Sequence, residues 1–234
     1  MSKVQFAVEI SEVRSQVFYP VCFFHNGSAY DSHLILKHFH DQKAKINVIP
    51  NNTEKFIGFQ FQIDGVRYLD SFRFLASPLE DLVAALLQDG VENFRYTKHH
   101  FADDDPNIFA KGIFPYCHMT GPEVFEQTSL PPKSAFFSDL KQEGITDLEY
   151  QRAHAIWNRY NCTTMRDFHD RYLSLDVTFL GDCFEAFRRM AIRDYKLDPA
   201  HSWTIASFSW QCALLMTGVS LELITDPNIY LCGK

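Results

Sequence analysis

The sequence predicts an α/β protein, a mixed sheet flanked by helices, and three stretches carry that prediction. Val17–Phe24 (VFYPVCFF) is apolar on both faces, the signature of a buried strand. It runs into the turn residues Asn26, Gly27 and Ser28, and Ser32–His40 (SHLILKHFH) then has helical patterning, so the unit is strand, turn, helix. In Glu54–Ile63, Phe56, Gly58 and Gln60 alternate with Ile57, Phe59, Phe61 and Ile63, and Asp64-Gly65 supplies a two-residue hairpin turn. Arg166–Arg189, finally, repeats its apolar residues at helical spacing.

The other elements follow in order. Val4–Ile10 reads as a short strand, and Lys45–Pro50 and Val66–Leu69 complete an antiparallel meander with Glu54–Ile63. Ser77 is placed to cap a helix with Pro78, Glu80 and Asp81 in its first turn and Gly90 at its end. Val91–Leu130 has little regular pattern, and a loop of that length in a compact domain usually binds something. Its acidic run, Asp103–Asp105, is read as solvated. A short helical excursion lies between Ser129 and Gly144. Asp147 then opens a helix with a core stripe of Tyr150, His154, Trp157 and Tyr160. In the long helix after it, Phe168, Tyr172, Leu175, Phe179, Leu180, Cys183, Phe184 and Phe187 make one face. Tyr172 and Asp176 sit within that face, and Arg171, Ser174, Asp182 and Arg189 are left to the other side. Leu197-Asp-Pro ends the segment, and Trp203–Leu223 is a further apolar run. No internal repeat appears.

Composition narrows the class. With 234 residues, 22 of them Phe, the chain can bury a sizeable core and is no disordered tract. A net charge of −7 gives no global field for nucleic acid, although nucleases that hold cations keep acidic sites and use local Lys and Arg. The six cysteines form no C-x-x-C pair, which argues against a zinc site or a disulfide framework. The histidines have no mutual ligand spacing. No apolar signal core or membrane span is legible, so a soluble, intracellular protein without membrane partners is expected.

Asn26 and Asp31 fall at the carboxyl end of a strand and the start of a helix, the edge where ligands bind in open α/β sheets. Lys111 lies in the long loop, and Tyr172 and Asp176 lie one turn apart on a helix. An acid on an apolar stripe is costly unless a partner or a cation takes its charge. Separated aspartates, a phenol and a lysine are the raw material of a two-metal phosphodiester nuclease: carboxylates hold the cations, a phenol orients water, and a lysine meets the phosphate charge.

The motifs extend that reading. FFHNGSAYDSHLI, LDSFRFLASPLEDL, KGIFPYCHM, TSLPPKSAFFSDL, DRYLSLDVTFLGDCFEAFR and LDPAHSWTIASFSWQCALLMTGVSLELITD run from Phe23 to the end of the chain. Together they resemble the exonuclease region of protein-primed family B DNA polymerases, of the type found in organellar plasmids, viruses and Maverick/Polinton elements. Asn26, Tyr30 and Asp31 match that family's second exonuclease motif, Tyr172 and Asp176 its third. Ser71 and Phe74 match its DS-x-x-FL segment, and Lys111 its Lys-x-x-hydrophobic motif. The resemblance implies a ribonuclease H-like fold for residues 1–234, with a divergent start at 1–22, an exonuclease core at 23–195 and the beginning of a connection to the polymerase at 196–234. It implies catalytic roles for Asp31, Asp176, Tyr172 and Lys111. Asp31 and Asp176 would hold Mg²⁺ or Mn²⁺, and Asn26, Tyr30, Ser71 and Phe74 would contact the primer 3′ end as single-stranded DNA. A terminal priming protein is an implied partner.

Two departures qualify the implication. The family's first motif, Asp-x-Glu on the first strand, has no counterpart, because the only candidate strand reads Phe6-Ala7-Val8-Glu9. The chain also ends at Leu231-Cys-Gly-Lys, ahead of the linker and the polymerase palm. The expectation is an internal piece of a replicative polymerase, weak or silent as an exonuclease alone. The alternative is a module derived from one that binds single-stranded DNA or a protein without chemistry.

Overall fold

The computed structural model describes residues 21–27, 35–37, 46–50, 56–61, 66–101, 109–110, 112–139 and 142–221. The expected strand at Val4–Ile10, the Asp64-Gly65 turn, the run Asp103–Asp105, and the site positions Tyr30, Asp31 and Lys111 lie outside the described residues. The chain divides into two compact units, Met1–Ala76 with Arg188–Lys234, and Ser77–Phe187.

The first unit holds an α/β arrangement around a mixed sheet. Its strands are β1 (Val21–Phe24), β2 (Ile46–Pro50), β3 (Phe56–Phe61) and β4 (Arg67–Asp70), in the order β1-β4-β3-β2. The meander expected from the alternating pattern is present, with β2 antiparallel to β3 and β3 antiparallel to β4. β1 pairs parallel with β4 in the register Phe24↔Asp70, so the carboxyl ends of both strands face the same edge. Phe59 stacks on Tyr68 across β3 and β4 with centroids 4.7 Å apart, a cross-strand pair that fixes the register.

The chain after residue 187 folds onto this sheet through an arginine and a tryptophan. Arg67 on β4 is buried, lies 4.2 Å over the Trp203 ring and donates to the carbonyls of Ala200 (3.3 Å) and His201 (3.2 Å). A Cβ at Gly58 would come within 2.7 Å of the Trp203 ring, so glycine is what lets the indole lie on β3. Asp198 receives both Nε and Nη2 of Arg188 and caps the turn Pro199–His201 through the Ala200 N–H. Burial acts against ionisation of Asp198, but the bonds from Arg188 and Ala200 outweigh it and hold its pKa below the ordinary value.

The second unit is helical. It contains α1 (Leu79–Gln88), α2 (Arg95–Phe101), α3 (Asp147–Arg159) and the Met165–Phe187 part of α4, a 31-residue helix spanning Met165–Tyr195. A fifth helix, α5 (Ile205–Thr217), belongs to the first unit. One core joins Leu79, Val83 and Leu86 of α1 to Phe94, Phe101 and Phe109 and to Leu175, Phe179 and Cys183 of α4. The other packs Ala153 and Ile156 of α3 with Phe136, Cys162, Met165 and Phe168. α3 begins with a reciprocal cap: Thr146 Oγ1 accepts from Glu149 N–H while Glu149 accepts from Thr146 N–H.

Several sequence expectations are corrected. Ser77 does not cap α1. The capping position is Pro78, with no side-chain bond, and the helix start is stabilised by Glu80 and Asp81 in its first turn. Among its described residues, the supposed loop 91–130 contains α2 and short 3₁₀ turns at Val91–Asn93, Tyr116–His118 and Pro122–Glu126. On α3, His154 is exposed, and Ala153 and Ile156 carry the burial.

The largest correction concerns Asp182, assigned by its polarity to the outer side of α4. It is 1% exposed. Its carboxylate accepts from Tyr96 N–H at 2.8 Å, Thr97 N–H at 3.1 Å and Thr97 Oγ1–H at 2.8 Å, and so caps the first turn of α2. A helix N-terminus offers unpaired N–H groups and a positive dipole end, which together replace the water a buried carboxylate gives up.

Candidate active site

Tyr172 and Asp176 are one turn apart on α4, and their surroundings are built by a segment some sixty residues earlier. Tyr172 is buried and Asp176 half-buried. Phe114 stacks on Tyr172 with centroids 5.1 Å apart and planes at 30°. Gly112 lies against the same ring so closely that a Cβ there would be 2.7 Å from Tyr172 Cδ2. Tyr116, 65% exposed, reaches back so that its hydroxyl is 2.6 Å from that of Tyr172. Residues 112–116 therefore wrap the Tyr172 phenol, with Lys111, next to Gly112, outside the described residues.

The Tyr116 and Tyr172 hydroxyls share one hydrogen bond, which either can donate, and the Tyr116 end is open to solvent. Burial pushes the Tyr172 phenol well above its ordinary pKa, and the Asp176 charge and the Tyr116 contact push in the same direction. Tyr116 is raised by burial and by Asp176, against a lowering from its bond to Tyr172. Both phenols stay neutral at physiological pH and serve as donors. Such a pair beside a carboxylate can hold and orient a water molecule or a polar ligand group.

Tyr172 and Tyr116 also face a cleft of about 470 Å³ within the second unit. Its wall carries Phe114, Phe136 and Ile113, and its rim carries Glu80, Glu143, Glu149 and Arg152. Arg152 Nη2 donates to Ala110 carbonyl at 3.2 Å; burial lowers its pKa, while the charges of Glu149 and Glu80 offset that loss.

The remaining described positions lie in the first unit. Asn26 lies two residues past β1 in the left-handed conformation (φ 63°), which Asn tolerates better than most residues, and it is exposed. Its N–H donates to Asp70 Oδ1 at 2.8 Å, and the same oxygen accepts from Phe72 N–H at 3.1 Å. Ser71 is fully buried: its hydroxyl donates to Phe24 carbonyl at 2.7 Å, so His25 Nδ1, 3.0 Å away, is the donor to Ser71 Oγ. Phe74 is buried. The exposed ring of this turn is Phe72, edge-on to His25 with centroids 5.4 Å apart. Sequence reading missed Tyr116, His25, Asp70 and Phe72. Tyr116 carried a usable signal, as an aromatic five residues beyond Lys111 in the same motif.

Among the described residues, no three His, Cys, Asp or Glu side chains are grouped to hold a metal ion. Asp176 is the one carboxylate described at this site, and one carboxylate with two neutral phenols falls short of the donor set a two-cation centre requires. Cys22, Cys117, Cys162, Cys183 and Cys212 are free thiols; burial first, and the Asp182 charge second, push Cys183 up to about 12, so it acts as a small apolar side chain. No helix among the described residues is long and apolar enough to cross a membrane. Comparison with protein families, with curated proteins and with solved structures returned no match.

Proposed function

We propose that this chain is the 3′→5′ proofreading exonuclease region of a protein-primed family B DNA polymerase acting in DNA replication, weak or inactive on its own. The observation that carries the reading is a convergence. The segment after Lys111 and the Tyr172–Asp176 pair are far apart in sequence, and Gly112, Phe114 and Tyr116 close around the Tyr172 ring. That proximity supports the reading.

In this reading Tyr172 orients the attacking water, with Tyr116 bonded to its hydroxyl. Lys111 meets charge on the phosphate. The resemblance gives Asp31 and Asp176 the role of metal ligands: they would hold Mg²⁺ or Mn²⁺, which would activate water and stabilise the leaving oxygen. Asn26 and Tyr30 contact the single-stranded 3′ end, with Ser71 and Phe74 supporting them from buried positions. A ribonuclease H-like identity for the α/β fold belongs to the same proposal.

The test uses a 5′-labelled single-stranded oligonucleotide with purified protein and Mg²⁺ or Mn²⁺. The expected result is binding, with at most slow stepwise shortening from the 3′ end that Asp176→Ala and Tyr172→Phe remove. A folded protein that neither binds nor shortens the strand overturns the proposal. Shortening indifferent to both substitutions shows that the site lies elsewhere.

A further inference from the structure

The cleft that Tyr172 and Tyr116 face extends beyond the pair of phenols, and its size and lining suit a ligand. At about 470 Å³ it falls within the usual span of small-molecule sites, about 300–1,000 Å³. Its aromatic side is formed by Phe114, Tyr116, Phe136 and Tyr172. The Phe114 ring stacks on Tyr172 and meets Tyr116 edge-on at 5.3 Å, so these rings brace one another as a preformed wall. The polar side has three carboxylates, Glu80, Glu143 and Glu149, against one guanidinium, Arg152, among the described lining residues. Arg152 already serves Ala110 carbonyl and is balanced by Glu80 and Glu149.

Among the described lining residues carboxylates outnumber cations, which favours a neutral or cationic ligand that brings N–H donors. Aromatic rings in the same lining favour a flat one. We propose that this cleft is a nucleobase pocket, in which the base stacks on the Tyr116 side and gives its N–H edge to the glutamates. Carboxylates accept from exocyclic amino groups of bases, and unpaired bases are held by aromatic stacking together with hydrogen bonds to their Watson–Crick edge. Guanine presents two adjacent N–H donors on that edge, adenine and cytosine present an amino group, and thymine presents a single imino N–H. The pocket therefore selects guanine first and thymine last. Naming a nucleobase as the planar ligand rests on the nucleic-acid reading above.

Free nucleosides, which carry no phosphate, separate this pocket from the nuclease site. Calorimetric titration of the intact chain with guanosine, adenosine, cytidine and thymidine is expected to give guanosine an advantage over thymidine of about tenfold, the effect of one good paired hydrogen-bond contact. The double substitution Glu80→Gln with Glu143→Gln, both at solvent-facing positions away from the α3 cap, should abolish that advantage. Tyr116→Ala should weaken all four nucleosides. No saturable binding by any nucleoside, or equal binding by all four, overturns the pocket. If that happens while single-stranded DNA still binds and Asp176→Ala still matters, the exonuclease reading survives; nucleoside binding without any DNA binding is the reverse case.

Discussion

Two carboxylates six residues apart on α4 meet opposite fates. Asp182 is closed off from water and takes three donors from the start of α2, so its charge is fully spent on joining two helices. Asp176 is half-buried beside two neutral phenols, one of them open to solvent. A buried charge whose every contact is internal belongs to the architecture. A charge beside a pair of phenols that reaches solvent is available for chemistry.

Breaking the first should therefore cost stability, and breaking the second should cost activity. Asp182→Ala leaves Tyr96 N–H and Thr97 N–H without their acceptor and the Thr97 hydroxyl with only Thr178 Oγ1, 3.1 Å away, and urea denaturation should record a loss of about 2–4 kcal/mol. Asp176→Asn should change stability by no more than about 1 kcal/mol, since it keeps the shape and one oxygen. Equal losses for the two would erase the distinction.

Of these two acids sequence reading misplaced one, Asp182, and the cause is instructive. The α4 stripe was legible because Leu175, Phe179 and Cys183 recur every four residues and are all buried. Asp182 lies three residues after Phe179 and seven after Leu175, on that same stripe, yet its polarity assigned it to solvent. Its acceptor role could not be read locally, because its donors are more than eighty residues away in sequence. α2 was invisible for the matching reason: at seven residues it is too short to display a period, and its cap comes from another helix. The antiparallel meander was legible because a two-residue alternation has few competing explanations. The Tyr172–Asp176 spacing was legible too, but the phenol that completes it, Tyr116, belongs to a non-periodic turn.

A change at Gly112 sharpens the contrast from the backbone side. Gly112→Ala sets a methyl group 2.7 Å from the Tyr172 ring, and either the ring or the 112–116 segment must move. A stability loss of about 1–3 kcal/mol is expected from overpacking. Single-stranded DNA affinity should fall alongside it if the motif and the phenol form one site. Stability loss with unchanged affinity would divorce the two.

Removing the hydroxyl alone is gentler. Tyr172→Phe keeps the ring on Phe114 and costs no more than about 1.5 kcal/mol at neutral pH. Its signature is alkaline. The folded protein holds the Tyr172 proton more tightly than the unfolded chain, whose phenol titrates near 10.0. The stabilising contribution is thus whole below pH 10 and declines as pH rises beyond it. Urea midpoints measured across that range should decline less steeply for Tyr172→Phe than for the parent protein, and parallel profiles would refute the assignment.

The smallest effect is expected at the start of α4, where a third carboxylate works in the open. Asp167 accepts from Thr163 N–H (2.8 Å), Thr163 Oγ1–H (2.8 Å) and Thr164 N–H (2.9 Å). The Thr163 bonds lead in depressing its pKa, from 3.8 to about 2. The sign is that of a carboxylate favoured ionised in the folded state: the contribution is present above pH 3.8 and is lost as pH falls toward 2. Asp167→Asn should flatten the acid limb of the stability profile in that interval while leaving DNA binding at neutral pH untouched. A profile as steep as the parent's would mean the cap is made in the unfolded chain as well, and the three bonds would then carry no net stability.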